Sequence, residues 1–142
     1  MRGVVHISKR DPHSNRELLE RAGLIVDQCS DIDLISLELV EVLGIADQIK
    51  VCEDIWIEGA TQRMRTKIRG IVQIKFMFVE AEGISPGLQR HYWVDCYVPE
   101  DTKCNFDISI CGATAKGLQW HTPKHLGTGI RVQPPPSKPG EQ

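Results

Sequence analysis

Three groups of side chains in this chain have the types and spacing to do chemistry. The first is acidic. Asp27 closes the apolar run Gly23-Leu24-Ile25-Val26 and opens a polar turn, Gln28-Cys29-Ser30-Asp31-Ile32-Asp33. A carboxylate placed there activates water if a second carboxylate shares its proton, or it accepts N–H groups of the turn that follows. The second group is sulfur and imidazole: Cys29, Cys52, Cys96, Cys104 and Cys111 with His6, His13, His91, His121 and His125. A cysteine nucleophile needs a depressed thiol pKa, and the carboxylates beside Cys29 act in the opposite direction. Zinc ligation by Cys104, Cys111, His121 and His125 has suitable donors, but Cys-x6-Cys is not a knuckle spacing and Pro123 breaks any helix joining the imidazoles. Neither a metal nor a cofactor is expected. The third group is basic. Arg63, Arg65, Lys67 and Arg69 recur at every second position, which on a strand puts the cations on one face. Such a face either keeps a sheet edge solvated or docks an acidic partner, and without interleaved aromatics it is no stacking platform for RNA.

Strands must position most of these residues. Residues 23–26 are a short continuous apolar run that stops at Asp27, as a buried strand does. Over residues 70–79, Val72, Ile74, Phe76 and Phe78 share one face and Gln73 and Lys75 the other. After the turn-rich break Glu82-Gly83-Ile84-Ser85-Pro86-Gly87, a second alternating strand places Tyr92, Val94, Cys96 and Val98 together. A last strand spans 106–111. Two short helices are expected, one over 37–43 with Ser36 as its cap and Gly44 as its stop, the other over 113–120. Lys9 to Arg16 reads as a polar loop. This density of short strands argues for a mainly-β barrel or sandwich.

Composition bounds the possibilities. The 142 residues suit one domain, and 41% hydrophobic residues suffice for a packed core. A net charge of -2 argues against a nucleic-acid binder that works by bulk charge. No apolar run approaches the ~20 residues needed to cross a bilayer, and the first residues lack a secretory leader. An odd number of scattered cysteines fits reduced thiols inside the cell, in nucleus or cytoplasm. Residues 1–22 read as an N-terminal arm and loop, 23–126 as the domain, and 127–142, with prolines 134, 135, 136 and 139, as a flexible tail.

The order of motifs resembles that of retropepsin-like aspartic proteases, especially the protease segment of Ty3/gypsy-type retroelements and its domesticated relatives. Leu24-Ile25-Val26-Asp27-Gln28-Cys29-Ser30-Asp31-Ile32-Asp33-Leu34-Ile35-Ser36 is similar to the family's apolar strand, Asp-Thr/Ser-Gly-Ala/Ser, polar stretch and Leu/Phe-Ile-Ser. Leu39-Val40-Glu41-Val42-Leu43-Gly44 is similar to its first helix. Phe106-Asp107-Ile108-Ser109-Ile110-Cys111-Gly112 looks like its aromatic-Asp-apolar-x-Leu-Gly segment, and Leu118-Gln119-Trp120-His121 falls where its terminal helix ends. The likeness runs over residues 23–121. It implies a retropepsin-like closed β-barrel, the acid-protease fold, with one or two short helices. It also implies a homodimer, since one such motif supplies half of a carboxylate dyad.

By the same resemblance Asp27 is the catalytic acid, Ser30 its supporting neighbour, and Gly59 and Ala60 the tip of a flap. The site is degenerate, because the family's Asp-Thr-Gly stands here as Asp27-Gln28-Cys29. Gln28 has no hydroxyl to lock two turns across a dimer, the Cβ and sulfur of Cys29 crowd the carboxylate, and Asp31 and Asp33 add negative charge. Three readings follow: a catalytically degenerate module for homodimerisation and protein interaction, an active dimeric aspartic endopeptidase using Asp27, or a monomeric protein-binding domain. The partner in the first and last is a protein, with Arg63, Arg65, Lys67 and Arg69 as a binding face. Trp56, Trp93 and Tyr97 read as core or dimer-interface residues.

Overall fold

The computed structural model describes residues 2–14, 16–58, 65–81, 91–100, 104–118 and 131–133. The strands are β1 (Arg2–Arg10), β2 (Glu17–Asp27), β3 (Leu34–Ile35), β4 (Lys50–Val51), β5 (Trp56–Glu58), β6 (Arg65–Ala81), β7 (His91–Pro99), β8 (Ile108–Cys111) and β9 (Arg131–Gln133). Helix α1 (Leu37–Val42) and a 3-10 turn at Ala46–Gln48 lie between β3 and β4, and α2 (Gly112–Gly117) follows β8 directly.

The alternation read from the sequence forms the centre. Val72, Ile74, Phe76 and Phe78 of β6 are buried, and β7 lies antiparallel to it with Val72 opposite Cys96, Ile74 opposite Val94 and Phe76 opposite Tyr92. The rings of Phe76, Phe78 and Tyr92 have centroids 5.5–5.8 Å apart, contacts worth about 0.5–1.5 kcal/mol each beyond their burial. Helix α1 begins where the sequence places it: the Ser36 side chain accepts the Leu39 N–H at 3.1 Å, and Gly44 leaves the helix at φ +68°. Leu37, Leu39 and Val40 turn inward from that helix to the main core. A smaller cluster of Leu34, Ile57 and Ile68 lies apart from it.

Residues 2–10, read as part of an arm, are a strand that pairs along β2 from Arg2 opposite Ile25 to Arg10 opposite Glu17. The polar loop is accordingly shorter than expected. Asp11 caps its turn by accepting the His13 N–H and the Ser14 hydroxyl, which hold its carboxyl below the usual range. The break at 82–87 and residues 119–130 lie outside the described residues. Within 127–142, Arg131–Gln133 pairs with β5.

The closed β-barrel of the acid-protease fold is not the architecture found. Among the described residues the strands form a nine-stranded mixed sheet in the order β1-β2-β8-β3-β7-β6-β5-β9, with β4 beside β6 off this path and a further pairing of β1 with β6. A simple barrel gives every strand two neighbours and leaves no edge. Among the described residues the 17-residue β6 has four partners, β1, β4, β5 and β7, whereas β4 pairs only with β6 and β9 only with β5. The cause is length. At about 3.3 Å per residue β6 extends roughly 56 Å, well past the ends of β7, and its surplus recruits short strands into branches.

One branch depends on a glycine. A Cβ on Gly70 would stand 2.3 Å from the Lys50 carbonyl oxygen, so β4 approaches β6 only because residue 70 has no side chain. A second local feature has the opposite sign. Ser109 is fully buried in β8, and among the described residues its hydroxyl has no hydrogen-bond partner. Urea denaturation is expected to show Gly70→Ala destabilised by about 1–3 kcal/mol through overpacking. Ser109→Ala, which removes an unsatisfied buried hydroxyl, is expected to gain about 1 kcal/mol.

Candidate functional site

The turn that carries Asp27 owes its shape to the order of three strands. β2 runs parallel to β8, with Leu24 opposite Ile108 and Asp27 opposite Cys111. The other edge of β8 takes β3 antiparallel, with Leu34 opposite Ser109 and Ile35 opposite Ile108. The chain therefore leaves β2 at Asp27, rounds the C-terminal end of β8 through residues 28–33, and returns on the far side as β3. Gly112 lies under that turn. A Cβ there would be 3.3 Å from the Gln28 Cα and 3.5 Å from its carbonyl oxygen, so the turn rests on bare backbone.

Asp27 is 2% exposed. Its Oδ1 accepts the Cys29 N–H at 3.0 Å, and its carbonyl accepts the Ser30 N–H at 3.1 Å. The Ser30 hydroxyl donates to the Ile32 carbonyl at 2.7 Å and accepts the Ile32 N–H at 3.3 Å, so this side chain closes the turn on itself. Cys29 is exposed, and among the described non-glycine residues only Asp54 has a positive φ. A glycine's conformational freedom is thus not used at position 29, and the crowding expected from its side chain is avoided by exposure.

Asp33 has a role that the sequence reading missed. By sequence it is added charge near Asp27, yet its Oδ1 accepts the Cys111 N–H at 2.8 Å and its Oδ2 accepts the Thr114 hydroxyl at 2.7 Å. Its carbonyl also accepts the Tyr97 N–H at 2.8 Å. One residue thereby ties the turn to β7, β8 and α2. Asp107 does similar work on the other side: its Oδ2 accepts the Gly23 N–H at 3.0 Å and its carbonyl accepts the Ser36 N–H at 2.9 Å. The legible signal is an aspartate placed directly before a buried strand, Asp33 before Leu34-Ile35 and Asp107 before Ile108. Cys96 stands behind this network. Burial pushes its thiol well up, and the negative charges of Asp33 and Asp95 push the same way, so it is a protonated core residue.

The remaining candidates do not gather at this turn. Gly59, Ala60 and Arg63 lie outside the described residues, as do His121 and His125. Arg65, Lys67 and Arg69 lie on β6 and alternate with buried Thr66, Ile68 and Gly70, so they share its outward face. The Arg65 guanidinium sits 5.9 Å from the Trp56 ring centroid, and Trp56 pairs with Lys67. Tyr97 packs against the small cluster. Trp93 is 61% exposed, under the Lys75 ammonium at 5.2 Å from its centroid, and is not a core residue. Among the described residues no group of three His, Cys, Asp or Glu could hold a metal ion, and no helix is long and apolar enough to cross a membrane.

Asp33 uses both of its carboxylate oxygens to hold Cys111 and Thr114. Asp33→Ala is expected to destabilise the fold by about 3 kcal/mol, since hydrogen bonds to a charged group contribute about 1.5–3 kcal/mol each and are not additive. Thr114→Val removes one of those bonds and is expected to cost about 1–2 kcal/mol in the same urea titration.

No family model matches the chain, and no curated protein matches it. The aspartic-protease fold implied by the motif order is corrected accordingly: the chain is a β-rich domain built on a branched mixed sheet.

Proposed function

We propose that the chain is a homodimerisation and protein-interaction module which keeps the motif order of a retropepsin-like protease without its chemistry. The observation that carries this reading is the use made of its acids. Asp33 accepts the Cys111 N–H and the Thr114 hydroxyl on its two oxygens, and Asp27 accepts the Cys29 N–H, so these two carboxylates act as struts for the turn and its neighbours. Water activation by a dyad needs a carboxylate pair held in a preorganised frame, and Gln28 brings no hydroxyl to lock two turns together.

Two further features support an interaction role. The outward cations Arg65, Lys67 and Arg69 form a stripe complementary to an acidic protein surface. Among the described residues the sheet also keeps strand edges open, which is how β-domains recruit extended partners. Five cysteines without a disulfide fit a reducing compartment, nucleus or cytoplasm. An active endopeptidase is the competing reading, favoured by the buried Asp27 carboxylate and its 3.0 Å bond to the residue-29 amide.

Sedimentation equilibrium and a broad peptide-library cleavage assay from pH 3 to 7, run on the same sample, separate the two. The expected result is a concentration-dependent dimer with no turnover at any pH. Cleavage that disappears in Asp27→Asn would restore the protease and end this reading.

A further inference from the structure

Among the described residues the outer half of β2 has a neighbour on one side only. β1 covers one edge of residues 17–25, whereas β8 covers the other edge only from Leu24 to Asp27. The Gly23 N–H points to that second edge, where Asp107 accepts it. Along a strand, N–H and C=O turn to the same edge at every second residue. Arg21, Leu19 and Glu17 therefore direct their backbone groups to the same side as Gly23, and among the described residues no strand receives them.

The side chains around this edge are unusual for a free strand. Leu19 is 50% exposed on the face it shares with Glu17 and Arg21, and Leu18 is 42% exposed on the opposite face. An acid and a base flank Leu19 symmetrically, two residues to either side. Glu17 is anchored by the Ser8 hydroxyl and the Lys75 ammonium, which hold its carboxyl below the usual range and keep it anionic at neutral pH. Arg21 is exposed and makes no ion pair among the described residues.

The geometry points to a second copy of this chain as the occupant, paired antiparallel edge to edge about a twofold axis at Leu19. This rests on the homodimer reading above and names its surface. Leu19 then opposes the partner's Leu19, and Glu17 opposes the partner's Arg21 on both sides of the axis. The three opposed positions are those whose backbone groups face outward, so each pair exchanges two bonds, about six in all. Opposite charges directly across strands are favourable, and the apolar pair lies between them. Sliding the register by two residues in one direction places Arg21 opposite Leu19 and brings in Gly23, whose N–H is already taken. Sliding it in the other direction moves Leu19 opposite Glu17. Either slide loses both ion pairs.

An edge contact of this kind buries less than the roughly 1,200–2,000 Å² of a stable interface, so the association is weak and requires high protein concentration. Sedimentation velocity over rising concentration tests it, with circular dichroism confirming that each variant is folded. Leu19→Pro deletes an N–H that faces the open edge and leaves the β1 ladder intact, so it is expected to weaken the dimer at least tenfold. Arg21→Glu and Glu17→Arg are each expected to do the same by opposing like charges, and an equimolar mixture of these two is expected to recover a heterodimer. A wild-type dimer that all three variants leave unchanged overturns this surface and leaves the homodimer reading standing. A wild type that stays monomeric throughout overturns both.

Discussion

Everything near Asp27 depends on one constraint: β8 lies between β2 and β3, and the segment joining those two strands must pass round its end. Parallel neighbours cannot be joined by a tight hairpin, so the segments that enter and leave such a crossing expose N–H groups with no strand to receive them. The chain meets this demand with aspartates. Asp107 takes the Gly23 N–H, Asp27 takes that of Cys29, and Asp33 takes that of Cys111. Hydrogen bonds to an ionised carboxylate are shorter and stronger than neutral ones, which suits positions where one bond must replace a strand neighbour.

Seen in this way, an acidic turn that invites a catalytic interpretation has a sufficient mechanical purpose. The glycine under the turn belongs to the same design, because Gly112 lets the backbone of Gln28 settle against the start of α2. The side chains at 28 and 29 differ from those a dyad enzyme places there, yet the turn keeps its hydrogen bonds, since those bonds come from main chain and from the aspartates themselves.

Much of this was legible in the sequence. Alternation from Val72 to Phe78 and from Tyr92 to Val98, the Ser36 cap and the Gly44 stop are local signals, and each sits where its periodicity or stereochemistry puts it. What escaped reading was non-local. Residues 2–10 do alternate, with Gly3, Val5 and Ile7 inward, but the two apolar side chains on that face are a weak signal. Glu17 to Arg21 at the start of β2 has no one-sided apolar pattern, so the strand character of both is fixed by their pairing with each other. The branching of β6 could not be read either, because a strand's length past its partner's end is fixed by what else comes to pair with it. Asp33 was visible as a charge, but its acceptors' partners lie 78 and 81 positions away.

That separation has a consequence in time. The Gly23 amide and the Asp107 carboxylate that receives it are 84 residues apart. At the roughly 5–20 residues per second of synthesis, the β2 strand and its turn wait about 4–17 s for their counterparts to emerge. During that interval the nascent chain holds an apolar strand with one side uncovered beside the Asp33 carboxylate, whose partners Cys111 and Thr114 are still to come. The hairpin of β1 and β2 can form at once from neighbouring residues, and it shields the other side of that strand until Asp107 and β8 are made.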